Sequence, residues 1–117
     1  MLTLTVTYTR SNTEIPFFQP TEVEPTWKAL IDSYKTAGKL LSIETRLGGE
    51  LVSDKTPFNR EPVMEITSVW RSINDNLDFL NEQMVETIRD ARIAYCLEHG
   101  IQVEYARHVD HDEFDLP

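Results

Sequence analysis

The sequence predicts an α+β sandwich, in which a four-stranded antiparallel sheet carries two helices on one face. Four segments alternate apolar with polar residues at a period of two, which is typical of half-buried strands. Two other segments repeat their apolar residues at the helical period and lie between these strands. With 117 residues, the chain is long enough for one such domain and too short for two ordinary ones.

The first strand is the clearest element. Threonines separate its apolar residues, which are Leu2, Leu4, Val6 and Tyr8. The stretch RSNTEIPFFQPTEVEP contains three prolines, so it predicts a long loop, which Phe17 and Phe18 are expected to anchor. Between Thr26 and Gly38, the first helix is predicted from apolar residues at i, i+3, i+4 and i+7, namely Trp27, Leu30, Ile31 and Tyr34.

The second half of the chain continues this pattern. A second strand is predicted through Leu41, Ile43, Thr45 and Leu47, and the Gly48-Gly49 pair that follows favours a tight hairpin turn. The stretch PVMEITSVW predicts a third strand, and IQVEYARHV predicts a last strand after Gly100. Between them, a long helix with a jog near Asn81 is predicted from the stripe Ile73, Leu77, Leu80, Met84, Ile88, Ala91 and Tyr95.

The element order β-α-β-β-α-β is that of the ferredoxin-like sandwich. This fold orders its four antiparallel strands 4-1-3-2 and places both helices on the same face of the sheet. We expect a single domain of this type over residues 1–109, followed by an acidic tail over 110–117.

The alternation assigns the strand residues to two faces. The face toward the helices is predicted to form the core with Leu2, Leu4, Val6, Tyr8, Leu41, Ile43, Met64, Ile66, Trp70, Ile101, Val103 and Tyr105. The opposite face, called the open face below, is predicted to carry Thr3, Thr5, Thr7, Ser42, Glu44, Arg46, Val63, Glu65, Thr67, Val69, Gln102, Glu104, Ala106 and His108. It is too apolar for ordinary surface and too polar for a core, which is the profile of an interface.

In its element order, and in the stretch EITSVWRS that leads from the third strand into the second helix, the sequence resembles the dimeric α/β-barrel superfamily, which includes antibiotic-biosynthesis-type monooxygenases. The resemblance covers most of the chain. It implies a symmetric homodimer whose sheets pack face to face, and a space between sheet and helices that often holds a small ligand or cofactor. It implies no particular catalytic residue.

Composition excludes several classes of function. The net charge of −9, with scattered basic residues, disfavours nucleic acid as a partner. No apolar run reaches the roughly 20 residues that a membrane-spanning helix requires, so neither a membrane segment nor a signal peptide is expected. Cys96 is the single cysteine, which agrees with a cytoplasmic location and predicts an inert, half-buried thiol.

Two groups of residues are candidates for a site. Glu44, Glu65, Glu104 and His108 would approach one another on the open face, where burial under a partner subunit would shift carboxylate pKa values toward those of general acids and bases. The simpler interpretation is that these glutamates keep the sheet soluble or pair with Arg46 and Arg107, and we favour it.

His108 and His111 form the second candidate, an H-x-x-H pair surrounded by carboxylates in RHVDHDEFDLP. A segment so near the terminus lacks supporting contacts, so a solvated or dimer-contacting tail is the favoured interpretation over a metal site. We expect no metal and no cofactor. The aromatic residues Trp27, Trp70, Tyr8, Tyr34 and Tyr105 are interpreted mainly as core packing, with a pocket lining as the alternative.

Two functional hypotheses follow. The first is a homodimeric ligand-binding or interaction module without chemistry of its own, and it is preferred because no catalytic constellation occurs at a recognisable spacing. The alternative is a cofactor-independent monooxygenase or isomerase that acts on a hydrophobic small molecule in a pocket between sheet and helices. An enzyme needs an ionisable group beside an enclosed cavity, whereas a binding module does not.

Overall fold

The computed structural model describes residues 1–52 and 60–110. Within these ranges, one antiparallel sheet contains five strands: β1 (Leu2–Thr9), β2 (Leu40–Leu47), β3 (Glu50–Val52), β4 (Val63–Trp70) and β5 (Gln102–Val109). The same ranges contain the helices α1 (Pro20–Val23), α2 (Trp27–Thr36), α3 (Ile73–Leu80) and α4 (Gln83–His99). No helix in these two ranges has the length and apolarity needed to cross a membrane.

The strands are ordered β3-β2-β4-β1-β5, so the predicted four-stranded sheet is wrong by one strand. The four long strands keep the predicted order, because β5, β1, β4 and β2 correspond to 4-1-3-2. The fifth strand arises at the Gly48-Gly49 turn, where both residues have positive φ angles of 59° and 86°. This turn returns the chain along β2, and the three residues Glu50–Val52 pair with β2 as the strand β3.

A β-bulge corrects the predicted core at the start of β2. Leu40 pairs with Trp70 and Ser42 pairs with Val69, so two residues of β2 advance the register by only one residue of β4. As a result, Leu40 is 2% exposed and belongs to the core, whereas Leu41, which we predicted there, is 49% exposed. Tyr105 is also outside the core, since β5 is an edge strand within the described residues and the ring is largely exposed.

The predicted long helix is divided in two at Asn81 and Glu82. Because of this break, the two helices do not share one continuous buried stripe. Leu77 and Leu80 of the predicted stripe are exposed, and Phe79 and Val85 are buried in their place. Sequence periodicity located the jog but not its effect on which residues face the sheet. Gly100, with a φ angle of 68°, ends α4 in the left-handed conformation that suits glycine.

The stretch EITSVWRS ends at Ser72, the residue that caps the N-terminus of α3. The Ser72 hydroxyl accepts a hydrogen bond of 3.1 Å from the Asp75 amide, which is the usual cap of a helix N-terminus. Arg71 donates to both carboxylate oxygens of Asp75 at 2.8 and 3.0 Å, and this contact holds the pKa of Asp75 below its usual value. The segment therefore has a structural role that needs no ligand.

The core consists of two clusters on the helix-facing side of the sheet. One lies between the sheet and helices α2, α3 and α4, and its buried members are Leu2, Ile31, Tyr34, Leu40, Trp70, Phe79 and Val85. The other lies toward the opposite end of β1, and its buried members are Tyr8, Phe17, Leu47, Met64, Cys96 and Ile101. All strand residues in these clusters lie on one face, as the alternation predicts.

Tyr34 connects α2 to the first cluster and to the helix break. Its ring packs edge-on against Trp70 and Phe79, with centroids 6.1 and 5.2 Å away. Its hydroxyl donates a hydrogen bond of 3.0 Å to the carboxylate of Glu82. Burial and this hydrogen bond raise the pKa of Tyr34 to about 12.

This pKa predicts a loss of stability in alkali. Between pH 10 and 12 the folded chain keeps the Tyr34 proton while the unfolded chain loses it, so the free energy of unfolding falls with rising pH. We expect a slope of about 1 kcal/mol per pH unit from this group above pH 10, and none below it. Urea unfolding at a series of pH values should show a steeper loss for the wild-type protein than for Tyr34→Phe. Equal slopes would contradict the assignment.

Candidate functional site

A cavity of about 560 Å³ lies between the helix-facing side of the sheet, α2 and the loop that precedes α1. It is called the main cavity below. Its apolar lining is supplied by Phe17, Phe18, Trp27, Ile31, Ile43, Leu47, Val52, Met64 and Ile66. A cavity of this size and polarity is suited to a small organic molecule.

The strands form one wall of the main cavity, because every second side chain of a strand points toward the helices. Ile43 and Leu47 of β2, and Met64 and Ile66 of β4, stand two or four residues apart on the same face. On the other side, Ile31 lies one turn after Trp27, so both residues lie on the same face of α2. The sequence predicts these faces, but not the space between them.

Arg10 holds the loop that closes the remaining side. Its guanidinium lies 4.0 Å from the centroid of the Phe17 ring. Its Nη1 donates to the Ile15 carbonyl at 2.8 Å, and its Nε and Nη2 donate to the Glu61 carbonyl at 3.1 and 2.9 Å. Arg10 is only 2% exposed, and burial lowers its pKa. This residue therefore ties the loop to the chain just before β4 and places Phe17 against the cavity.

The charged groups of the main cavity lie at its mouth. Lys28, Asp32 and Lys35 contribute to the lining from one face of α2 and Glu44 contributes from β2, and all four residues are exposed. The buried charged residues among those described, Arg10 and Asp75, do not line it. The described lining thus provides an apolar interior and a polar rim, without a desolvated acid or base.

The predicted site residues Glu65, Glu104 and His108 lie on the open face and do not line the main cavity, whereas Glu44, predicted beside them, does line it. Glu65 and Glu104 both pair with Thr7, on either side of β1, which places their Cα atoms about 10 Å apart. His108 pairs with Thr3, four residues further along β5, or roughly 13 Å from Glu104. Within the described residues, no hydrogen bond or ion pair joins these three side chains.

The predicted arginine partners are placed differently. Arg46 stands opposite Glu65, yet its closest carboxylate contact is with Glu44 at 3.6 Å, and its Nη1 donates to the Gly49 carbonyl. Arg107 pairs with Leu4 and therefore lies on the helix-facing side of β5, away from both Glu65 and Glu104. The expected pairing of these glutamates remains a prediction for the assembled protein.

The remaining candidates from the sequence are His111, Cys96 and the aromatic residues. His111 lies outside the described residues, and within these no group of three metal-binding side chains occurs. Cys96 is more buried than predicted, and this burial raises the pKa of its thiol, as expected for an unreactive cysteine. Tyr8, Tyr34 and Trp70 are core residues, whereas Trp27 lines the main cavity and also packs on Phe79 at 5.6 Å.

The fold is shared with several solved structures. A protein from Deinococcus radiodurans, provisionally assigned as an antibiotic biosynthesis monooxygenase, superimposes with a TM-score of 0.54 at 11% identity over 94% of this chain and 92% of its own. SnoaB, a cofactor-independent oxygenase from Streptomyces nogalater, gives 0.53 at 10% identity over 93% and 91%. A conserved protein of unknown function from Bacteroides thetaiotaomicron gives 0.53 at 11% identity over 92% and 94%.

These similarities confirm the predicted resemblance at the level of the fold, which is that of the antibiotic biosynthesis monooxygenase-like proteins. No protein-family model matches the chain, and no curated protein matches it in sequence.

The role of Arg10 predicts that Arg10→Met destabilises the protein. The substitution removes at least three hydrogen bonds to part-buried backbone carbonyl groups, and we expect the free energy of unfolding to fall by about 2 kcal/mol. Arg60→Met is the matched control, because the Arg60 side chain is 76% exposed and its ion pair with Glu14 should contribute less than about 0.5 kcal/mol. Equal urea midpoints for the two variants would contradict a structural role for Arg10.

Proposed function

We propose that the protein binds an apolar small molecule in the main cavity and performs no chemistry on it. The observation that carries this proposal is the character of the described lining, which is apolar inside and has its charged groups only at the rim. Glu65, Glu104 and His108, three of the residues considered from the sequence as catalytic candidates, lie on the other face of the sheet. Binding would be driven by removing apolar surface from water.

The alternative is a cofactor-independent oxygenase or isomerase that acts on a hydrophobic molecule in the same cavity. It is supported by the fold shared with SnoaB, which is a cofactor-independent oxygenase. Among the lining residues that the structure describes, Asp32 and Glu44 are the carboxylates that could act as a general base, but both are exposed. A desolvated group would be better suited to proton transfer, so binding alone is preferred.

We further propose that the protein forms a symmetric homodimer in the cytoplasm through its open face. The hydroxyls of Thr5 and Thr67 lie 3.3 Å apart at the centre of this face, so both side chains are aligned there. Val63, Val69 and Ala106 flank the threonine row. Threonine is well suited to such an interface, since its methyl group packs while its hydroxyl finds a partner.

Ligand binding can be tested with a neutral fluorescent probe, N-phenyl-1-naphthylamine, which becomes bright in apolar surroundings. We expect saturable binding of one probe per chain, with quenching of Trp27 in a Trp70→Phe background, because Trp27 is then the sole tryptophan. Thr45→Phe introduces a ring into the main cavity and should weaken binding by about tenfold or more. The matched control Thr9→Phe adds the same ring on the other face of the sheet and should leave the affinity unchanged.

Absence of saturable binding, or equal weakening by both substitutions, would contradict the proposed site. Turnover of an aromatic substrate, with loss of activity on Asp32→Asn, would instead favour the enzyme.

The dimer predicts a mass of about 27 kDa in solution, which is twice the chain mass of 13.6 kDa. Thr5→Arg places a charge at the centre of the open face and should halve this mass in light scattering at micromolar concentration, because an unpaired buried charge costs several kcal/mol. Thr36→Arg adds the same charge at the exposed end of α2 and should leave the dimer intact. A wild-type mass near that of one chain would refute the interface.

A further inference from the structure

A second cavity, of about 320 Å³, lies on the other side of the loop that closes the main cavity. It is called the α1–α4 cleft below, because it opens between these two helices. Glu22 and Val23 of α1 line one side, and residues of α4 line the other. The proposed function does not use this cleft.

The walls of the cleft are aromatic. Phe18 packs against Tyr95 with ring centroids 5.8 Å apart, and the Tyr95 hydroxyl donates to the Pro16 carbonyl, which fixes the position of this ring. On α4, Ala91 and Ala94 are one turn apart, and their short side chains leave space between the helices. The cleft is therefore a shaped recess with at least two aromatic rings in its wall.

The carboxylates that line the cleft are Glu22 on α1 and Glu98 on α4. Within the described residues, Glu22 has no ion-pair or hydrogen-bond partner for its side chain, and Glu98 has only a contact of 4.0 Å with His99. Among residues 1–52 and 60–110, no lysine or arginine lines the cleft. Both carboxylates act on Tyr95. Burial is the main cause that raises the pKa of its hydroxyl, Glu22 and Glu98 are among the neighbours that raise it further, and the charge of Arg10 lowers it.

We propose that the α1–α4 cleft binds a small organic cation, namely an ammonium group with short apolar substituents. The aromatic rings attract such a cation through their π-electron faces, and they also bury its methyl or methylene groups. The two carboxylates balance its charge from opposite sides. The net charge of −9 adds a long-range attraction for cations.

This ligand class is favoured over the two closest alternatives. A neutral apolar molecule would leave the carboxylates to be desolvated without compensation, which costs free energy. A bare metal ion requires several oxygen or nitrogen ligands at short distance, and the described residues offer no group of three such side chains. An alkylammonium ion satisfies both the apolar walls and the negative charge.

The test uses choline as the probe and 3,3-dimethylbutan-1-ol as its neutral isostere, titrated into the full-length protein by NMR. Choline should bind with shifts at Phe18, Tyr95 and Ala94, and the alcohol should bind more weakly by about fivefold or more. Glu22→Gln and Glu98→Gln should each weaken choline binding by about three- to fivefold, as expected for one partly exposed ion pair. Both substitutions preserve side-chain size at exposed positions, so the fold should be retained.

Glu86→Gln is the matched control, because Glu86 is exposed on α4 and does not line the cleft. It removes the same charge from the protein and should change choline affinity by less than about twofold. Equal affinity for choline and the alcohol would overturn the proposal, as would equal weakening by all three substitutions, which would indicate a general attraction to an acidic protein. Shifts confined to the residues of the main cavity would overturn it as well.

Discussion

The register of β1 is the constraint on which the structure depends. All eight of its residues pair with β4 on one side and with β5 on the other. A slip of one residue would turn its threonines toward the helices and its apolar residues toward the open face, so the core would be lost. The same register places Glu65 and Glu104 on the open face, away from the main cavity. The division between the helix-facing side, which contributes to the main cavity, and the open face thus follows from the alternation of one strand.

Most of the fold could be predicted because its signals are local. The period-two segments and the Gly48-Gly49 turn identify the long strands, and the helical stripes show which connections cross over the sheet. The predictions of buried residues were wrong where contact with a residue distant in sequence decides which side chain faces the core. The bulge that exchanges Leu40 for Leu41 is visible only against β4, and the phase change at Asn81 depends on how Phe79 packs on Trp70. Neither is encoded in the periodicity of its own segment.

The candidate site was harder to predict, because a cavity is a property of the space between elements. Trp27 and Phe17 were recognised as packing residues, which is correct, but packing residues and cavity-lining residues have the same periodicity. Arg10 gave no signal at all. It stands at the start of a polar loop, and the carbonyl that binds two of its nitrogen atoms belongs to Glu61, 51 residues away in sequence. A buried arginine that organises a loop can be found only once these two segments are seen together.

The segment from Phe17 to Gln19 forms a wall of both cavities. A molecule that moves this segment from one side therefore alters the shape of the space on the other side. Thermodynamic linkage then requires the effect to be mutual, so that any change in affinity transmitted across the wall is equal in both directions. With Arg10 stacked on Phe17 and Tyr95 packed on Phe18, the wall is held at both of its aromatic residues. The rigidity of these two contacts limits how strongly a ligand in the main cavity could affect the α1–α4 cleft, and the reverse.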